Sequence, residues 1–167
     1  FGGFPPTPSR LAITESYDGS SWTEVGDLNT GRAQMAGIGT STAALSTGGG
    51  ISPGPSNNTD INESFDGSSW TEVGDLNQSR RELDGCGTST AALAVSGATG
   101  PPKHTEVEQW DGSAWTELAN MSDNRYTIGG SPAGTTAAAL AYGGQAGDSG
   151  VVTEEWNKAQ NIKTITD

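Results

Sequence analysis

The side chains that most often carry catalysis are scarce in this sequence. One histidine, His104, and one cysteine, Cys86, are present among the 167 residues. His104 lies in the segment PPKHTE, so we expect a solvated loop residue rather than a general base or a metal ligand. The sequence has no histidine besides His104 that could activate Cys86. We therefore expect Cys86 to be a small packing residue rather than a nucleophile.

Two kinds of charged residue recur at regular spacing. An aspartate stands before glycine three times, which suits either a calcium ligand or a turn former, and its repetition favours the turn. For a recurring arginine, we expect each guanidinium to bind backbone carbonyls or a carboxylate; the alternative is a ring of arginines that binds a ligand. The aspartates are Asp18, Asp66 and Asp111, and the arginines are Arg32, Arg80 and Arg125.

The charge balance argues against several classes of partner. The chain has 20 acidic and 8 basic residues and a net charge of −12, so we expect no binding to nucleic acid. No apolar run reaches the roughly 18 residues of a membrane span, and residues 1–10 lack the regions of a signal peptide. We therefore expect no membrane span and no export signal. Asn-x-Ser/Thr triplets that we expect to be unmodified begin at Asn57, Asn77 and Asn120.

Internal repetition is the strongest signal in the sequence. The block TESYDGSSWTEVGDLN recurs as NESFDGSSWTEVGDLN and, more loosely, as VEQWDGSAWTELANMS. Tryptophans recur with these blocks at Trp22, Trp70 and Trp115, and a preceding aromatic recurs at Tyr17, Phe65, Trp110 and Trp156. Because several residue types share one period of about 45 to 48 residues, the chain is predicted to be a tandem repeat.

Each repeat predicts four short strands. Small residues in GTSTAAL suit closely packed inner strands, and Asp-Gly between two β-prone runs predicts a hairpin. We therefore expect an all-β fold of about three and a half four-stranded units, with the recurring tryptophans Trp22, Trp70 and Trp115 buried. The predicted units are a partial one at 1–32, two complete ones at 33–80 and 81–125, and a last one at 126–167 with an atypical final strand.

The repeat resembles the kelch repeat of β-propellers, which also forms the central domain of galactose-oxidase-like proteins. The resemblance rests on a Gly pair (Gly48-Gly49, Gly143-Gly144), an aromatic followed by a Trp, and a downstream Arg. It departs from the family in a shorter gap between the aromatics and in Ser96-Gly97, where the second unit lacks the Gly pair. The resemblance implies radially arranged blades around a channel. Since a closed propeller needs at least four blades and the first unit is partial, the chain is either a four-bladed ring whose first blade is incomplete or a piece of a longer chain, and we expect the piece.

The wording WTEVGDLN and GTSTAALA also resembles the kelch-like repeat proteins of marine bacteriophages, many of which are assigned to virions or tails. An oxidase-type copper site requires more than one histidine, so the kelch resemblance does not imply oxidase activity here, and we expect no cofactor and no metal.

The functional expectation is a non-enzymatic interaction or structural module, part of a phage virion or tail surface, that binds protein or glycan, with other virion proteins as further partners. The alternative is the non-catalytic propeller portion of a larger galactose-oxidase-like or other enzyme. An oligomer is compatible with either. The least repeated loops, at 5–10, 51–60, 98–105 and 145–151, are the candidate contact surface. The candidate binding residues in them are Pro53, Asn57, Asn58, Lys103, His104, Gln145 and Asp148.

Overall fold

The computed structural model describes residues 1–3, 9–52, 57–100, 104–146, 153–158 and 161–165, with backbone alone for 146 and 161–165. These residues form strands, turns and bends, and none of them is helical. The all-β prediction is therefore confirmed. No helix that is long and apolar enough to cross a membrane occurs in these segments.

Most strands belong to four successive antiparallel sheets. The first sheet has two strands, β1 (Glu15–Tyr17) and β2 (Trp22–Glu24). The second sheet has the order β3 (Ala36–Thr40), β4 (Ala43–Thr47), β5 (Asn62–Phe65) and β6 (Trp70–Val73). The third sheet repeats it with β7 (Asp84–Thr88), β8 (Ala91–Val95), β9 (Val107–Trp110) and β10 (Trp115–Glu117).

The fourth sheet contains β12 (Gly129–Gly130), β13 (Ala138–Tyr142), β15 (Thr153–Asn157) and β16 (Asn161–Ile165). A small two-stranded sheet pairs β11 (Arg125–Tyr126) with β14 (Gln145–Ala146). The last segment, NIKTI, lacks the WTEV sequence of the earlier repeats, yet it pairs with β15 as the fourth strand of its sheet. The backbone position of this strand is therefore kept although its sequence differs.

Glycine is required where the first two strands of a sheet join. Gly39 has φ +113°, and a Cβ at this position would lie 2.3 Å from the carbonyl oxygen of Ala43. Gly87 repeats the situation with φ +114° and the same distance to the carbonyl of Ala91. A residue other than glycine would therefore clash with the neighbouring strand and be strained in this backbone conformation.

The core lies in layers between consecutive sheets. Between the second and third sheets, Leu45 shares a cluster with Trp110 and Trp115. Between the third and fourth, Leu93 shares a cluster with Trp156. The first strands of neighbouring sheets also contact each other, β3 with β7 and β7 with β12. The sheets are thus stacked blade-like units, and each interface joins a leucine of one unit to an aromatic residue of the next.

The burial predicted for the recurring tryptophans is wrong at one of the three positions. Trp70 and Trp115 are each 6% exposed, but Trp22 is 66% exposed. Trp70 is covered because it packs with Leu28 and donates its indole N–H to Thr14 Oγ1 at 3.0 Å, both in the preceding unit. In the described part of the chain no unit precedes Trp22, so its equivalent cover is missing.

Candidate functional site: a loop-face cleft

The recurring arginines lie buried within their own units. Arg32 immediately precedes the second sheet, and its Nη2 donates to Glu63 Oε1 at 2.8 Å and to the carbonyl of Ser46 at 3.1 Å. Its Nη1 donates to the carbonyls of Gly48 and Ile61. Burial lowers the pKa of Arg32 below its ordinary value, and the opposite charge of Glu63 offsets only part of this effect. The guanidinium is therefore held by the backbone of its own sheet.

The same ion pair recurs in each of the next two sheets. Arg80 pairs with Glu108, and Arg125 pairs with Glu154 at 2.9 Å. The second carboxylate oxygen is also used: Glu108 Oε2 accepts from the backbone N–H and the side-chain amide of Asn77 at 2.8 and 2.7 Å. All three arginines are 0% exposed. Their hydrogen bonds fit the structural role, because no guanidinium of the set presents a surface to a ligand.

Sequence reasoning did not identify the carboxylates that complete these pairs. Glu63, Glu108 and Glu154 are among the largest fully buried side chains of the protein. They recur with the same period as the arginines, and that coincidence was the available signal. It is weak, because the partners are about 30 residues apart and no local motif connects them.

The recurring aspartates form turns. Asp66 Oδ1 accepts from the backbone N–H groups of Ser68 and Ser69, each at 2.8 Å. These and the Ser68 hydroxyl hold the pKa of Asp66 at about 2. Asp18 makes the same contacts with Ser20 and Ser21, and its pKa is also about 2. The carboxylates therefore close the hairpins that join β1 to β2 and β5 to β6.

The prediction of a solvated His104 is wrong. The residue is 8% exposed, its Nδ1 lies 2.8 Å from Glu106 Oε2 and its Nε2 lies 3.2 Å from Thr99 Oγ1. The loop folds back on itself, since the His104 N–H donates to the carbonyl of Gly97 at 2.9 Å. Burial raises the pKa of Glu106, but hydrogen bonds from its own N–H and from His104 outweigh this and lower it. A polar loop sequence did not reveal this closed network.

Cys86 lies in the layer between the third and fourth sheets, 4% exposed. Burial, with the nearby charge of Asp84, raises the pKa of the thiol to about 11. The thiol is thus protonated at neutral pH. Among the described residues, no three potential metal-ligating His, Cys, Asp or Glu side chains are grouped together.

The predicted binding residues do not all lie within the described structure. Pro53, Lys103 and Asp148 lie outside the described residues. Asn57 and Asn58 are half-buried, and the Asn57 carbonyl accepts from the Ile51 N–H at 3.0 Å. Gln145 is exposed, and its Oε1 accepts from the Tyr126 hydroxyl at 2.6 Å.

Among the described residues of that set, Gln145 alone lines a cleft on the loop face. The cleft has a volume of about 490 Å³ and is built from the loops that precede the first strands of three consecutive sheets. Its lining residues are Gln34, Met35, Glu82, Leu83, Asp84, Tyr126, Thr127, Ile128 and Gln145.

One position, shared by the last three units, gives the cleft its shape. Gln34, Glu82 and Thr127 occupy equivalent positions and have φ values of 62°, 58° and 54°. Such values are uncommon in residues other than glycine and cost roughly 1–3 kcal/mol each. A backbone ladder holds them: the Glu82 N–H donates to the Gln34 carbonyl at 2.8 Å, and the Thr127 N–H to the Glu82 carbonyl at 2.9 Å.

The ladder joins successive units directly at the cleft. Gln34 Nε2 also donates to Glu82 Oε1. The lining of the cleft therefore combines apolar side chains, those of Met35, Leu83 and Ile128, with amide, carboxylate and phenol groups. These groups can hydrogen-bond a neutral polar ligand, whereas the two carboxylates disfavour an anion.

Comparisons with known proteins inform the fold alone. No protein-family model matches the chain, and no curated protein matches it. A solved structure titled "Structure of YjhT" is similar to 94% of this chain with a TM-score of 0.72 and 13% sequence identity. The match covers 53% of that structure, so the chain spans about half of its length.

Proposed function

We propose that this chain is a non-enzymatic recognition module, built from kelch-type propeller blades, that binds a neutral glycan through the loop-face cleft. The observation that carries the proposal is the position shared by Gln34, Glu82 and Thr127. The last three units hold it in the same strained backbone conformation, yet each of the three presents a different polar side chain there. Strain that recurs at one surface is typical of functional sites, and side-chain variation on a constant scaffold suits recognition.

The propeller interpretation is supported by the order of strands. In the second and third sheets the strands follow one another from first to last, and the first strands of neighbouring sheets are in contact. This is the arrangement expected when successive blades surround a common axis. The cleft then lies at the end of the axis where the loops of several blades meet.

A glycan suits the cleft better than a charged ligand. Tyr126 and Gln145 form a hydrogen-bonded pair at its rim, and an aromatic ring beside amide and carboxylate groups is suited to sugar hydroxyls and to the apolar face of a sugar ring. The wider setting, a phage virion or tail surface, is supported by the sequence resemblance of the repeats to the kelch-like repeat proteins of marine bacteriophages. Such a setting displays many copies, and multivalency raises avidity by roughly 10² to 10⁴ without any new contact.

The test is binding of a multivalent display of the chain to a panel of glycans. We expect Tyr126→Ala to abolish binding, because it removes both the ring and the hydroxyl that holds Gln145. The matched control is Thr42→Ala, an exposed residue at the hairpin between β3 and β4, at the opposite end of the strands. Binding that survives Tyr126→Ala, or that is lost equally in the control, contradicts the assignment of the cleft.

A second assay addresses catalysis. The purified chain is incubated with galactose-type alcohols, with and without added copper, and hydrogen peroxide or aldehyde is measured. We expect no turnover in either condition, since the histidine and the cysteine of the chain are both buried. Copper-dependent turnover would contradict the non-enzymatic proposal.

A further inference from the structure

A small cavity lies beneath the cleft, between the third and fourth sheets. It has a volume of about 30 Å³. This exceeds the roughly 10–15 Å³ that one water molecule requires. Most of its wall is formed by apolar side chains, among them those of Val107, Met121 and Trp156. Because such a lining offers a water molecule few hydrogen-bond partners, the cavity suits an apolar group.

The cavity exists because one position of the repeat carries a smaller residue in the third sheet. In the second sheet this position is Ile38, which fills the equivalent space, since a Cβ on Gly85 would clash with its Cδ1. Cys86 takes the place of Ile38 in the third sheet. The atoms nearest to the equivalent Cβ, on Gly130, belong to Asp84 and not to Cys86. The shorter side chain of the cysteine therefore leaves this space open.

The cavity adjoins the loop-face cleft. Asp84 and Ile128 line both spaces, so their side chains form the wall between them. Ile128 is buried in the same apolar layer as Cys86. Asp84 is half-buried, and its Oδ1 accepts from the Gly85 N–H at 2.8 Å. Its Oδ2 has no hydrogen-bond partner among the described residues. A group that enters from the cleft therefore meets an available carboxylate oxygen before it reaches an apolar interior.

We propose that the cavity is a subsite of the cleft and takes a short, methyl-terminated substituent of the bound sugar. The inference rests on the proposed glycan binding and specifies which glycans the cleft prefers. The methyl group lies against Met121 and Trp156, and Asp84 Oδ2 accepts a hydroxyl or amide hydrogen of the same sugar. The charge of Asp84 disfavours a carboxylate at this place. Acetamido and 6-deoxy sugars both carry the required methyl group.

Xenon tests the cavity without any glycan, because apolar cavities of this kind bind xenon. Xenon NMR should show saturable binding to the parent chain and to Cys86→Ala, which widens the cavity. Binding should be lost in Cys86→Ile, because this side chain fills the cavity as Ile38 fills its counterpart. The unfolding midpoint of Cys86→Ile should also rise. A parent chain that binds no xenon, or a Cys86→Ile variant that still binds it or does not fold, would overturn the proposal.

Matched sugars test the subsite itself. The multivalent display of the full chain is offered N-acetylglucosamine beside glucose, and 6-deoxygalactose beside galactose, so that one member of each pair carries the methyl group. We expect the methyl-terminated member of at least one pair to bind about fourfold more tightly or better, because the methyl group is buried. The responding pair identifies the substituent. Cys86→Ile should bind both members of that pair equally, whereas the control Thr42→Ala should keep the preference.

The outcomes separate this proposal from the proposed function. Glycan binding that depends on Tyr126 but shows no preference within either pair would overturn the subsite and leave the cleft assignment standing. A preference that Cys86→Ile retains would overturn the subsite in the same way. Absence of binding to every glycan of the panel would contradict the proposed function, and with it the subsite.

Discussion

At the scale of single residues, the same side chain has different roles in different units. Glu63 and Glu108 are buried and ion-paired, whereas Glu15 at the equivalent position is exposed. Tryptophans show the same contrast. The difference lies in the neighbours, because the residue types and local sequences are nearly identical. A position in a repeat therefore acquires its role from the adjoining strands as well as from its own chemistry.

Removing one partner of a buried ion pair should be strongly destabilising. Glu108→Ala leaves the Arg80 guanidinium buried without its carboxylate and removes the acceptor of the Asn77 backbone N–H. We expect a loss of about 3–5 kcal/mol in unfolding free energy, measured by denaturant titration. The control Glu117→Ala, exposed on β10, should change it by no more than about 0.5 kcal/mol. Equal losses in the two variants would show that the buried ion pair contributes no more to the free energy of unfolding than an exposed glutamate does.

The His104 network should contribute measurably to stability. His104→Ala removes the contacts with Glu106 and Thr99, and we expect a cost of about 1–2 kcal/mol. The comparison variant is Asn124→Ala in an exposed turn, for which little change is expected. Thermal unfolding of both variants gives the measurement. A His104 variant as stable as the parent would restore the sequence-based interpretation of a solvated loop residue.

At the scale of elements, the hairpins were the most predictable part of the fold. Asp-Gly between β-prone runs indicated the turns, and the carboxylates of Asp18 and Asp66 hold them through N–H groups two and three residues further on. These contacts are local, so residue type alone indicates them. The strained position of Gln34 and Glu82 is different: its backbone conformation is imposed by a ladder between units, and neither glutamine nor glutamate signals a positive φ.

The turn at Asp66 should have a defined pH dependence. Its pKa in the folded protein is about 2, below the ordinary value of 3.8. A carboxyl group with a lowered folded pKa contributes stability above its unfolded pKa, and this contribution is lost as pH falls through the folded value. We therefore expect the contribution of this turn to decline between about pH 4 and pH 2.

The conservative variant Asp66→Asn separates geometry from titration. Asparagine keeps an acceptor oxygen for Ser68 and Ser69 but does not ionise, so the variant should fold at neutral pH and lose this part of the pH dependence. An NMR titration of the Asp66 carboxyl carbon in the parent gives the pKa directly. A midpoint near 3.9, the unperturbed value, would contradict the hydrogen-bonded turn.

At the scale of the whole molecule, the sequence predicted the number and order of strands better than their surroundings. Among the described residues, the period located the four successive sheets, because each unit repeats the same hairpins, but it did not predict the small sheet of β11 and β14. Burial of Trp22 was predicted from its equivalence to Trp70, but burial depends on a preceding unit, which a repeat position does not record. Among the residues that line the cleft, only Gln145 was a candidate from the sequence, since the others lie in short connections that look alike in every unit.

Comparing two equivalent tryptophans measures the packing between units. Trp70→Ala removes a side chain buried against the first sheet, and we expect a cost of about 3–5 kcal/mol. Trp22→Ala removes an exposed side chain and should cost less than about 1 kcal/mol. Denaturant midpoints of the two variants provide the comparison. Similar midpoints would mean that the sheets are not stabilised by the leucine and aromatic layers between them.

Because these layers are interchangeable, whole repeats can be gained or lost in the gene without disrupting the packing between units. Leu45 and Leu93 meet the aromatics of the next unit in the same way, so a recombination event that deletes or duplicates one whole unit rejoins compatible surfaces. The side chains at Gln34, Glu82 and Thr127 differ, however, and their order along the cleft follows the order of the units. Gene rearrangement in steps of one repeat would therefore reorder the side chains of the proposed recognition surface while leaving the packing of the sheets intact.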